Sequence, residues 1–231
     1  VQGGGSAAVR PHYAVAPLDG IRERLGAGVA VVYERGCSID RATPPFEAQC
    51  SASQGGEPGF RVEFFEGAAA AGPPVAVSRL ARLRCTWLGP PVPGIAGEVY
   101  SVRITGTFLP PETGTYTLGL TSAGRSRLSV DGVVAVDHWE TAERGESFFG
   151  AGTPEGRARV AMRAGEPRAI EVLLCKDGPG PLGGVEAGCL LPEPPDLLER
   201  ALACAAAADA AVVVVGTSDE WETEGRDRES L

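Results

Sequence analysis

The chain has 231 residues, 43% of them hydrophobic, which is enough for one or two domains with ordinary cores. Its 30 acidic residues outnumber 21 basic ones, the formal net charge is −9, and no Lys/Arg run of five occurs, so the concentrated positive charge that a nucleic-acid partner needs is missing and none is expected. The longest apolar stretch, Ala201 to Gly216, is broken by Asp209 and is too short for a bilayer, and no basic n-region precedes an apolar h-region, so neither a membrane partner nor a signal peptide is expected.

Three segments follow one another. Gly3-Gly4-Gly5-Ser6 is a flexible opening. Pro17-Leu18-Asp19-Gly20 leads into a short helical turn over Ile21–Leu25. The continuous apolar run Gly28–Tyr33 predicts a strand buried on both faces. Arg41 to Pro58, rich in Pro, Ser, Gly and Glu, reads as a linker.

From about Gly59 to Leu191 the hydrophobic period is two. Phe60, Val62 and Phe64 alternate with polar residues, and so do Tyr100, Val102, Ile104 and Phe108. Tyr116, Leu118 and Leu120 repeat the pattern, followed by Ile170, Val172 and Leu174. Pro110–Gly114 is a turn, and Asp131-Gly132 between two apolar runs signs a tight hairpin that needs positive φ. Short strands with regular turns predict an antiparallel sandwich or barrel.

The last segment changes period. Asp196–Ala208 predicts a helix after Pro194-Pro195, and Ala211–Val215 an apolar strand ending at Gly216. A helix leading directly into such a strand is half of a β-α-β unit. The fold class is therefore mainly β: an antiparallel β-sandwich over 41–192, inserted between two pieces of an α/β domain at 1–40 and 193–231. Six cysteines, at 37, 50, 85, 175, 189 and 204, form no C-x-x-C pair, so no zinc site is expected. Cys204 lies in the alanine-rich helix as a small hydrophobe. Reduced thiols and a cytoplasmic location are the expectation.

Both flanks resemble family 3 glycoside hydrolases. At the front the resemblance lies in Gly3-Gly4-Gly5-Ser6-Ala7, Pro17-Leu18-Asp19-Gly20-Ile21 and Tyr33-Glu34-Arg35-Gly36-Cys37. At the back it lies in Ala208–Gly216 and Asp219-Glu220-Trp221-Glu222-Thr223-Glu224-Gly225-Arg226-Asp227-Arg228. The middle resembles the anthrax protective-antigen-type β-sandwich through Gly114-Thr115-Tyr116, Arg127–Gly132 and Asp137-His138-Trp139. Adhesins with that domain bind sugar through calcium held by adjacent Asp residues. No Asp-Asp pair occurs here, so that site is not carried over and neither metal nor cofactor is expected.

The resemblance implies a retaining β-glucosidase. Such chemistry needs two carboxyl groups flanking the scissile bond. The family's nucleophile is an Asp on a preceding barrel domain, outside this chain. Its acid/base precedes Gly in a Glu-Gly-x-Asp-Arg pattern, which Glu224-Gly225-Arg226-Asp227-Arg228 fits, with Glu220 and Glu222 in the same loop as alternatives. Arg226 replaces a usual aromatic. A cation beside a general acid would lower its pKa, so Arg226 must point away.

Trp139, Phe148 and Phe149 are the candidate sugar-stacking residues, the alternative being sandwich core. Phe148-Phe149-Gly150 is similar to a loop that overhangs the catalytic pocket in relatives. Asp137 and His138 are polar candidates, and Asp131 belongs to the hairpin turn. The expected partner is a carbohydrate substrate, and homo-oligomerisation is left open. The competing reading, from another functional class, is a stand-alone carbohydrate-binding module without catalysis.

Overall fold

The computed structural model describes residues 12–47, 51–52, 57–140, 143–216 and 221. The chain divides into two compact units, one of residues 42–192 and the other of residues 1–41 together with 193–231.

Among its described residues the 42–192 unit carries eleven strands: β1 (Ser51–Ala52), β2 (Phe60–Glu66), β3 (Ala76–Leu80), β4 (Arg84–Leu88), β5 (Tyr100–Phe108), β6 (Gly114–Ala123), β7 (Arg125–Val130), β8 (Val133–His138), β9 (Gly156–Met162), β10 (Arg168–Lys176) and β11 (Leu182–Leu190). All pairings between them are antiparallel. One sheet runs β3-β2-β5-β10-β7-β8, with β1 also on β5, and the second runs β4-β11-β6-β9. Because side chains alternate across a strand, register decides which residues meet in the core. Val62, Ile104, Val172, Leu128 and Val136 lie opposite one another across five strands, and all are buried. Tyr116, Leu118 and Leu120 of β6, with Val185 and Ala187 of β11, close the core from the facing sheet. Burying each such valine, leucine or isoleucine contributes about 1.5–3 kcal/mol.

The Arg41–Pro58 segment is no linker where it is described. Phe46 is 3% exposed, with its ring 5.1 Å from Phe108 and 6.3 Å from Phe60. Pro45 bridges Gly188, Glu47 bridges Arg82, and β1 joins β5. Isolated bridges need no long ladder, so a Pro- and Gly-rich composition suits them. The segment crosses β11 closely: Cys189 N donates to Pro44 O at 3.1 Å, and Phe46 N to Ala187 O at 3.1 Å. A Cβ on Gly188 would sit 1.8 Å from Pro44 O, so only glycine fits there.

The Asp131-Gly132 hairpin has φ of 50° and 78°, as the turn requires. Asp131 also ties β7 to β10, its Oδ1 accepting from Ala169 N at 2.8 Å.

In the other unit, helix α1 (Pro17–Leu25) starts on a proline and stops at Gly26, whose φ is 64°. Helix α2 (Leu197–Ala207) is the alanine-rich one, with Cys204 half-buried. Its two chain segments meet through ion pairs, Glu34–Arg200 at 2.9 Å and Arg35–Glu193 at 3.3 Å. The expected strands at Gly28–Tyr33 and Ala211–Val215 have no ladder partner among the described residues. Val212 to Val215 are 67–85% exposed. An apolar β-branched run becomes a buried strand only when other strands flank it, and this unit supplies none among its described residues. No helix among the described residues is long and apolar enough to cross a membrane.

Candidate functional site

The site is built at one end of the sandwich from three connections: the β6–β7 turn, the loop after β8 and the β10–β11 loop. The loop after β8 is locked by its own hydrogen bonds. Gly145 N donates to Gly152 O at 2.7 Å, Gly152 N to Ser147 O at 2.9 Å, and Ser147 Oγ to Thr153 O at 2.6 Å. Thr153 N then donates to Ser122 O at 2.8 Å, and Ser122 N to Thr153 Oγ1 at 3.1 Å, which fixes the loop to β6.

This frame holds Phe148 and Phe149 at φ of 50° and 58°, a left-handed conformation that bulky side chains rarely adopt. The two rings have different fates. Phe148 is half-buried, so close to Gly152 and Gly184 that a Cβ on either would lie 2.6 Å or less from its ring. Phe149 is 96% exposed. The first residue anchors the turn and the second is presented to solvent. Strain of this kind persists only where the surroundings over-determine it, and it clusters at ligand clamps.

Beside Phe149 lies a cavity of about 440 Å³. Its charged lining consists of Arg125, Glu143, Arg144, Lys176 and Asp177. Arg125 pairs with Asp177, while its Nε is buried without a hydrogen-bond partner. Sequence reasoning missed these residues. The available signal was Lys176, which continues the inward series Ile170, Val172, Leu174 of β10 and so puts a cation where the alternation calls for an apolar residue.

Trp139 stands against two arginines. It is half-buried, with the Arg125 and Arg127 guanidinium carbons 5.4 and 5.0 Å from its ring centroid. Asp137 completes this cluster, accepting from Trp139 N at 2.8 Å and Arg127 Nε at 3.0 Å. Burial works against ionisation of Asp137, but the hydrogen bonds from Arg127 and the Trp139 N–H outweigh it and hold its carboxyl below the usual range. Trp139 thus positions Arg125, which lines the cavity. His138 is half-buried on the other face, packed so closely to Gly156 that a Cβ there would lie 2.4 Å from its Nε2, and its Nδ1 has no partner. Burial pushes its pKa down, against the raising influence of Asp137.

Two thiols of the sandwich, Cys85 and Cys175, are packing groups. Burial pushes Cys85 up to about 12 and also raises Cys175, so neither is a thiolate nucleophile. Among the described residues no cluster of His, Cys, Asp and Glu is arranged to hold a metal ion. Glu224, Glu222 and Glu220 lie outside the described residues. Trp221, from the same stretch, donates through Nε1 to Ile39 O and carries the Arg41 guanidinium 5.2 Å from its ring centroid.

Two facing antiparallel sheets around one core define a β-sandwich module. Residues 56–187 match the PA14 domain, more than half of the chain, and the chain belongs to that family. The similarity to known proteins extends beyond the sandwich. Over 98% of its length the chain is 33% identical to a protein named probable beta-glucosidase J of Aspergillus fumigatus, of which it covers 28%. Over 98% of its length it is also 32% identical to a beta-glucosidase of Rhizobium radiobacter, of which it covers 27%. The crystal structure of beta-glucosidase from Kluyveromyces marxianus in complex with glucose is similar over 98% of this chain and 28% of that one, with a TM-score of 0.79 and 26% identity. The chain therefore spans little more than a quarter of the length of the curated relatives it matches.

Proposed function

We propose that the chain is a segment of a retaining β-glucosidase of glycoside hydrolase family 3, which releases terminal β-linked glucose from glucosides or oligosaccharides. The observation that carries this reading is the reach of the similarity: it runs through 98% of the chain, across both units, into proteins named beta-glucosidase. The glucose complex of the Kluyveromyces marxianus relative supports a carbohydrate substrate. The unflanked valines at Val212–Val215 support an α/β domain completed by further strands of the parent. A stand-alone binding module accounts for the sandwich but gives the other unit no role.

In this reading Glu224 protonates the leaving oxygen and later activates water, while the nucleophile comes from outside this chain. The sandwich is a lid on the leaving-group side. Phe149, held outward by its left-handed backbone, is the residue that stacks on the aglycone, and Phe148 is its anchor.

The test is Glu224→Gln in the full-length parent. Substrates with good leaving groups need no acid, so glycosylation of the enzyme should survive for them, and azide should restore turnover because deglycosylation no longer needs a base. Equal loss on activated and unactivated glucosides, without azide rescue, rejects Glu224 in favour of Glu222 or Glu220.

A further inference from the structure

Lys176 is the only lysine in the chain, and it is 4% exposed. It sits at the end of β10 and lines the cavity beside Phe149. Its Nζ donates to Gly178 O, and it has no carboxylate partner among the described residues. An ammonium group has three donors, and a buried one is costly unless acceptors or a counter-charge meet it. The other charges of the lining do not supply that. Asp177 is committed to Arg125, and Glu143 and Arg144 make no ion pair among the described residues. Three cations against two carboxylates leave one positive charge over, in a chain whose net charge is −9. An exposed phenyl ring on the rim adds an apolar platform the size of a pyranose face.

We propose that this cavity binds an acidic sugar, a uronate, with its carboxylate on Lys176 and Arg144 and its ring against Phe149. One surplus positive charge matches a monoanion, and charge-assisted hydrogen bonds to a carboxylate use the donors that Gly178 O leaves free. The assignment extends the lid reading by naming a class of leaving group, glycosides that carry a uronate. It is tested on binding alone, so its failure leaves the hydrolytic reading to the Glu224 experiment.

A single lysine makes the measurement direct. The 231-residue chain labelled with [15N]lysine carries one side-chain ammonium. Methyl β-D-glucuronide should shift that signal saturably, at least tenfold more tightly than methyl β-D-glucoside at equal ionic strength. Arg144→Gln, on the surface and without effect on folding, should weaken the glucuronide at least threefold. Phe149→Ala should do the same for the glucuronide but leave inorganic phosphate unchanged. The proposal is overturned if the glucuronide binds no better than the neutral glucoside. It is equally overturned if phosphate binds as tightly as the glucuronide and Phe149→Ala affects neither, because the cavity is then a plain anion site.

Discussion

Phe149 combines two unfavourable features, a fully exposed ring and a left-handed backbone. A residue kept for stability would have neither. Strained φ of this kind costs about 1–3 kcal/mol, and glycine would relieve it. Phe149→Gly is therefore expected to raise the unfolding temperature of this chain and, on the lid reading proposed above, to change the ratio of kcat/KM between disaccharides and longer oligomers in the proposed parent. Phe148→Ala should do the opposite to stability, losing about 2 kcal/mol as the half-buried anchor leaves Gly152 and Gly184. Denaturant midpoints, together with kcat/KM for disaccharides against longer oligomers, separate the two. A Phe149→Gly variant with parental stability and parental selectivity would assign the lid to another loop.

His138 gives a second prediction at this scale. Its folded pKa lies below the ordinary value of 6.5, because burial disfavours the cation. Between the folded pKa and about 6.5 the unfolded chain binds more protons than the folded one, so stability rises with pH across that window, and it is lost as pH falls through the window. Asp137, the charged neighbour, is held below the usual carboxylate range and so stays ionised as the pH falls through 6.5. His138→Gln should flatten the loss of thermal stability between pH 7 and pH 5.5. An unchanged slope would mean that the imidazole becomes protonated without cost in the folded state.

Among the elements, the crossing of residues 43–47 over β11 is the tightest contact. Glu155 Oε1 accepts from Thr43 N at 2.7 Å and Thr43 Oγ1 at 2.8 Å, so a carboxylate staples the same segment to the start of β9. A Cβ at Gly188 cannot coexist with Pro44 O. Gly188→Ala should lift the segment, free Phe46 from the core and cost about 1–3 kcal/mol as overpacking does, read as a lower denaturant midpoint. A neutral result would mean that the segment is dispensable for the sandwich.

This crossing also shows where sequence reading stops. The strands over Phe60–Phe64, Tyr100–Phe108, Tyr116–Leu120 and Ile170–Leu174 were legible because alternation is a local signal. Residues 43–47 pair through single bridges and one lone aromatic, which have no period, so their composition suggested a linker. Ala211–Val215 has the pattern of a strand, but a ladder needs a second strand, which no local pattern supplies. At the site the aromatic doublet was legible, yet the division into anchor and presented ring depends on φ. The role of Trp139 depends on two arginines, 125 and 127, brought to it by pairing between β7 and β8.

At the scale of the molecule, the isolated chain should be catalytically silent, because the nucleophile expected for this chemistry is not in it. Incubation with a chromogenic aryl β-glucoside checks this, and turnover well above a buffer blank would sink the reading as a segment. The sandwich itself has a continuous core and a contiguous sequence, from Ala42 to Pro192. Expressed alone it should unfold in one cooperative transition.

The adjacency of Pro44–Pro45 and Gly188–Cys189 brings the two ends of that sandwich together. To a chain that hosts it, a folded module of about 150 residues is then no longer than a tight turn. Closing a flexible loop of that length would cost about 3 kcal/mol more entropy than closing one of five residues. Folding of the module removes most of that difference before the host strands meet. A host can thus accept or lose the module over evolutionary time with little penalty to its own folding, and grafting residues 42–192 into an unrelated short surface loop should be tolerated for the same reason.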